Sequence, residues 1–260
     1  MRKIYIIGED KRQEYLKTLY KDGVVKNIDD ADIVILPTPV SKDAKVITGT
    51  NIDFVSVIDN LKGKVVFGGK FPQKLLEELQ RLNITYYDLM EIEELSIKNA
   101  IPTAEGTIFK AIELMNKTIF GANVLILGFG KCGKILADRF RGMKANVFCE
   151  ARKQKDIAQI LALGYNGVDI TNLEQILPKM DLIINTIPYM ILDKEKIDCI
   201  NKSAVIIDIA SNPGGTDFEY CEHKNITAVL ELGIPAKVAP ESASSYIKEV
   251  IDKIIFKESE

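Results

Sequence analysis

Residues Asn123 to Gly133, NVLILGFGKCG, constrain this chain more than any other stretch. Val124 to Leu127 form a short apolar run of the kind that fills a buried parallel strand. Gly128, Gly130 and Gly133 follow with G-x-G-x-x-G spacing, and Ile135, Leu136 and Phe140 then recur at helical intervals. The order strand, glycine turn, helix has a physical purpose. The first glycine permits a tight turn, the second lets a pyrophosphate approach the backbone, and the third lets the helix pack on the strand. The helix N-terminus then presents unpaired N–H groups and a partial positive charge to the phosphates. This context predicts a dinucleotide site that includes Lys131 and Cys132 between the glycines. The alternative is a plain strand-to-helix turn without a ligand.

The remaining composition narrows the class. A chain of 260 residues with 47% hydrophobic content holds one large domain or two modest ones. The net charge of −3 is made of interspersed signs, so nothing resembles a nucleic-acid footprint. Cys132, Cys149, Cys199 and Cys221 lack C-x-x-C spacing and are expected as free thiols in a reducing cytoplasm. No cysteine–histidine cluster points to a metal. No apolar run approaches the length of a membrane span, and the N-terminal run is too short for a signal peptide.

Strands alternate with helices from the start, which predicts a parallel α/β sheet. Strands are expected at Lys3–Ile7, Asp32–Leu36, Val65–Phe67 and Ile84–Tyr87. Helices are expected from Lys11 to about Tyr20, capped by Asp10 with Tyr15, Leu16 and Leu19 inward, and from Gln73 to Leu82. Ligands of such sheets sit at the strand C-termini, so Thr38 and Lys70 lie in candidate substrate loops, the alternative for Lys70 being an ordinary solvated loop lysine. The stretch Asn99–Asn116 is expected as a helix bridging two domains, with Pro102 in its first turn. Its N-terminus would present Asn99, Thr103 and Glu105 to a cleft between them, or Thr103 and Glu105 would simply cap it.

The predicted architecture is therefore α/β, with two parallel-sheet domains and a cleft between them. The expected boundaries are 1–115 for a substrate-side domain with linker helix, 116–240 for a Rossmann NAD(P)-binding domain, and 241–260 for a C-terminal helix. The second strand of the nucleotide unit, Asn146 to Glu150, ends Glu150-Ala151-Arg152-Lys153. An acid at this place binds the ribose diol of NAD, whereas an arginine accepts the 2′-phosphate of NADP. Both are present, and Arg152 and Lys153 incline the reading to NADP with NAD as the alternative. A helix is expected at Ile157–Leu163 and another short one at Leu173–Ile176. Later strands are expected at Leu182–Asn185, Val205–Ile209 and Thr227–Leu230. The first is followed by Thr186, Ile187 and Pro188, suited either to the nicotinamide ring or to an ordinary strand stop, and the second by Ala210. A last helix is expected from about Ser242 to Phe256, its serines forming an anion-friendly start.

Six segments together resemble the A subunits of dipicolinate synthases: IPTAEGTI (101–108), NVLILGFGKCGK (123–134), EARK (150–153), INTIP (184–188), IDIASNPGGTDF (207–218) and IPAKVAPESA (234–243). The likeness is close over residues 99 to 250 and looser before them. Departures from the pattern include Cys132 in place of an expected threonine, Glu231-Leu232-Gly233, and Ser244. The resemblance implies NAD(P)-dependent oxidation of a dihydrodipicolinate-type dicarboxylate, in the mother cell of a sporulating bacterium, in partnership with a flavoprotein-like B subunit. It supports NADP through Ala151 and Arg152. Aromatisation drives such a reaction, so positioning and carboxylate clamps suffice. Thr38, Lys70, Thr103, Lys237 and Ser242 are the candidate clamps, and Glu105 has an orienting role. The single histidine, His223, is expected to be structural or exposed. Self-association is left open. Two other readings remain: a shikimate-type or 2-hydroxy-acid dehydrogenase, and a nucleotide-binding protein without turnover.

Overall fold

The computed structural model describes residues 2–257. By contact they form two compact units, one of residues up to 99 together with those from 235 onward, the other of residues 100–234.

The first unit is built on a four-stranded parallel sheet of β1 (Ile4–Ile6), β2 (Ile33–Ile35), β3 (Val65–Gly68) and β4 (Thr85–Asp88), in that order. Alternation along the strands feeds two apolar layers. Val34 and Val66 face a core with Phe54 and Ile58 of α2 (Phe54–Ile58) and Leu75 and Leu79 of α3 (Gln73–Arg81). Ile33, Ile35 and Phe67 face the other side, against Leu16 of α1 (Lys11–Leu19) and Ile247, Val250 and Ile251 of α11 (Pro240–Lys257). Asp10 caps α1, its carboxylate accepting from the N–H groups of Arg12 and Gln13. The inward face of α1 is Gln13 and Leu16, and Tyr15 and Leu19 are exposed, contrary to the expected stripe.

The second unit is a six-stranded parallel sheet in the order β10 (Thr227–Leu230), β9 (Val205–Asp208), β8 (Leu182–Asn185), β5 (Asn123–Leu127), β6 (Asn146–Ala151), β7 (Asn166–Asp169). This is the doubly wound Rossmann order, and its direction reverses between β5 and β8. One face is covered by α5 (Lys131–Gly142), through Leu136, Ala137 and Phe140, and by α6 (Gln154–Ala162), through Ile160. The other is covered by α7 (Leu173–Ile176), α8 (Lys194–Asp198) and α9 (Phe218–His223). A short α10 (Ile234–Val238) follows β10.

Three expectations change. The helix α4 spans Glu93–Leu114, with Pro102 inside it. Leu95 and Ala100 are buried, and this burial carries the helix through the residue that would otherwise start it. The strand β7 carries one buried apolar residue, Val168, too little for recognition from pattern. The unit boundaries fall at 99/100 and 234/235 rather than 115/116 and 240/241. Ala104 and Ala111 of α4 belong to the core of the second unit, and the last helix supplies the core of the first.

Candidate functional site

In the second unit the coenzyme-binding candidates gather beyond the strand C-termini. Gly128 leaves β5 at φ +93°, where an L side chain is strained. A Cβ there would lie 2.6 Å from Thr186 Oγ1 and 3.0 Å from Ile187 Cγ1. A Cβ at Gly133 would overlap the Gly128 carbonyl oxygen, so helix α5 packs against the turn only because residue 133 is glycine. Gly130, the N-cap of α5, differs from both: a Cβ there would meet no protein atom within 4 Å, and no side chain caps the helix. Open space above uncapped N–H groups is what a pyrophosphate requires, so these residues fit a nicotinamide dinucleotide. Lys131 and Cys132 open α5, and burial pushes the Cys132 thiol up, which keeps it neutral near pH 7.

The end of β6 settles where Glu150 points. It is only 1% exposed, and one carboxylate oxygen accepts the Gly128 N–H at 3.1 Å while the other is buried without a partner. Burial pushes this carboxyl up, against the lowering effects of the Gly128 N–H and of Arg152. Ala151, on the opposite face, is the last residue of the strand, and Arg152 and Lys153 follow it, both exposed.

The loop after β8 lies over the glycine turn. Both the N–H and the hydroxyl of Thr186 donate to the Leu127 carbonyl, at 3.0 and 2.8 Å. Ile187 and Pro188 continue this loop, and Ala210 is buried beyond β9 with its N–H donating to Asp208 at 3.0 Å. Two residues absent from the sequence-based set stand at the centre, Asn185 and Asp208, both fully buried. Their signal was a polar residue closing an otherwise apolar strand, in LIIN and in VIID.

In the first unit Thr38 and Lys70 come together. The Thr38 side chain lies where a Cβ on Gly69 would be, and Lys70 follows at φ +55°. Asp88 holds that turn by accepting the N–H groups of Lys70 and Phe71, at 3.0 and 3.1 Å. Arg12, overlooked in the sequence, donates to the Thr38 carbonyl at 2.7 Å and to Asp10 at 3.0 Å, and its Nε is buried without a partner. Lys237, on α10, and Ser242, in the first turn of α11, are exposed. The helix begins at Pro240, ahead of Ser242, and the nearby Ser244 is consumed internally, donating to the carbonyls of Arg12 and Pro240. Thr103 and Glu105 sit mid-helix in α4, where neither caps nor faces a helix N-terminus, and Glu105 is exposed. His223 is exposed at the end of α9 and stacks on Tyr220. The four cysteines are free thiols, and among the described residues no helix is long and apolar enough to cross a membrane.

Residues 96–213 match the family described as D-isomer specific 2-hydroxyacid dehydrogenase, NAD binding domain. The chain is 33% identical to the A subunit of dipicolinate synthase of Bacillus subtilis (strain 168), over 97% of this chain and 87% of the relative. Its fold superposes on crystal structures of dipicolinate synthase A subunits. The match to the protein from Bacillus halodurans has a TM-score of 0.90 at 30% identity, over 97% of each chain. The match to the one from Bacillus subtilis has a TM-score of 0.90 at 31% identity, over 98% of this chain and 96% of that one. The second unit is thus a nicotinamide dinucleotide-binding domain of dehydrogenase type, and the chain belongs to the family of dipicolinate synthase A subunits.

Proposed function

We propose that the protein is an NADP-preferring oxidoreductase that converts a dihydrodipicolinate-type heterocyclic dicarboxylate to dipicolinate. The observation that carries this reading is the 33% identity to a dipicolinate synthase A subunit across nearly the whole chain. NADP is favoured over NAD because the acid at the end of β6, Glu150, is buried against Gly128, while Arg152 and Lys153 stand exposed one step further on. A guanidinium and an ammonium there suit a 2′-phosphate.

A nicotinamide held there would supply the hydride acceptor for oxidation of the substrate ring, and one ring proton would leave to a base or water. Glycine-turn N–H groups hold the diphosphate, and Thr186 to Pro188 flank the nicotinamide. In the first unit Arg12, Lys70 and Thr38 offer two cations and a hydroxyl for the two carboxylates, with Lys237 and Ser242 as further clamps. Thr103 is a further candidate clamp, and Glu105 orients rather than transfers protons. This division asks the protein for positioning and charge complementarity, and the gain of aromaticity supplies the driving force. The reading also includes a flavoprotein-like B subunit in partnership with this chain, since the relative is itself named as one part of a synthase, and action in the mother cell of a sporulating bacterium.

The test follows reduced-nicotinamide absorbance with the purified chain, NADP+ and the product of dihydrodipicolinate synthase, with and without the B subunit. Reduction is expected, and it should fall at least tenfold, on the order expected for loss of a charged clamp, in Lys70→Ala or Arg12→Ala. Wild-type rates in those variants and in Lys237→Ala would remove the clamp assignments. Tight coenzyme binding without turnover under any condition would support a nucleotide-binding role instead.

A further inference from the structure

We propose that Asp208 is a positioning residue for the coenzyme: acting through Asn185, it fixes the loop Thr186–Pro188 over the glycine turn. This rests on the reading of that turn as the nicotinamide dinucleotide site. Asp208 is fully buried at the end of β9. One carboxylate oxygen accepts from Asn185 Nδ2 at 2.9 Å, from the Gly215 N–H at 2.9 Å and from Thr216 Oγ1 at 2.8 Å. The other accepts the Ala210 N–H at 3.0 Å. Four donors offset the cost of burying a carboxylate, and they come from the end of β8 and from the loop that follows β9.

Asn185 passes this constraint on. Its Nδ2 also donates to the Ile187 carbonyl, and its Oδ1 accepts the Ile187 N–H, both at 2.9 Å. Ile187 is therefore clasped on both sides of its backbone. Gly215 closes the arrangement, because a Cβ there would lie 2.6 Å from both Asn185 Nδ2 and the Ile187 carbonyl oxygen. The clasped loop meets the glycine turn directly, through Thr186 on the Leu127 carbonyl and Ile187 beside Gly128. Arg152 and Lys153, by contrast, extend from β6 and have no part in the network. A defect at Asp208 is thus transmitted to the nicotinamide-side loop and not to the adenosine side.

The experiment compares calorimetric affinities of Asp208→Asn and Thr216→Val with wild type. Each is titrated with NADP+ and NAD+, and with the adenosine halves 2′,5′-ADP and AMP, which lack the second phosphate of the diphosphate. The expected result is about tenfold weaker binding of whole coenzyme by Asp208→Asn and about threefold by Thr216→Val, on the scale of buried hydrogen bonds lost, with the halves unchanged. Should Asp208→Asn not fold, Thr216→Val, which keeps shape and removes one donor, carries the comparison. Equal weakening of whole and half ligands, or no change in either, overturns the proposal. Failure of the wild type to bind any of the four would instead overturn the coenzyme reading itself.

Discussion

At the scale of single residues, the three glycines of the turn do different work. Gly133 is needed by the protein, because a Cβ there would overlap the Gly128 carbonyl oxygen. A Cβ at Gly130 touches nothing in the protein, so packing makes no demand for glycine there. Gly133→Ala is expected to lower stability by about 2 kcal/mol, as backbone clashes in a packed element do, and to abolish coenzyme binding. Gly130→Ala should leave the melting temperature within about a degree of wild type, as a surface change does, yet still weaken coenzyme binding. Thermal melts with parallel titrations read both. Glu150 gives a pH signature. Its folded-state pKa is raised by burial, so the folded protein binds the proton more tightly than the unfolded chain does. Stability therefore declines as pH rises above the ordinary carboxylate range. Glu150→Gln removes that decline, and its melting temperature should gain on wild type as pH increases from about 4 to about 8. Arg152, which favours the charge, and Asp169, which opposes it, are the neighbours to hold constant. The glycine spacing was legible because it is local. Glu150's destination was not, because strand parity gives a face but not the N–H waiting there.

At the scale of elements, legibility followed apolar pattern. Strands such as Ile33–Ile35 and Leu182–Asn185 are nearly all apolar and were placed within a residue. The strand Asn166–Asp169 was invisible, since its place at the sheet edge demands little burial. Pro102 was read as a helix start by its local preference, which the burial of Leu95 and Ala100 overrides. The last helix matters most to the first unit. Ile251 is fully buried against Ile4, Ile33 and Phe67 in the core of that sheet. Ile251→Ala is expected to cost about 3 kcal/mol, the range for emptying a core site, measured by denaturant unfolding. An effect below about 1 kcal/mol would mean the helix is not integral to that core.

At the scale of the whole molecule, the order β10-β9-β8-β5-β6-β7 brings together residues far apart in the chain, from Gly128 to Thr216. This long-range meeting hid Asn185 and Asp208 from the sequence, because each is recognised by what it touches rather than by its spacing. The glycine turn and the loops after β8 and β9 meet because strand C-termini share one edge of a parallel sheet. At that edge the turn N–H groups are expected to hold a nicotinamide dinucleotide by its diphosphate. Calorimetric titration of the intact chain with NADP+ and NAD+ tests it most directly. A saturable one-to-one heat, tighter for NADP+ and weakened for NADP+ alone by Arg152→Ala, is the predicted result. No heat from either coenzyme at millimolar concentration would contradict it.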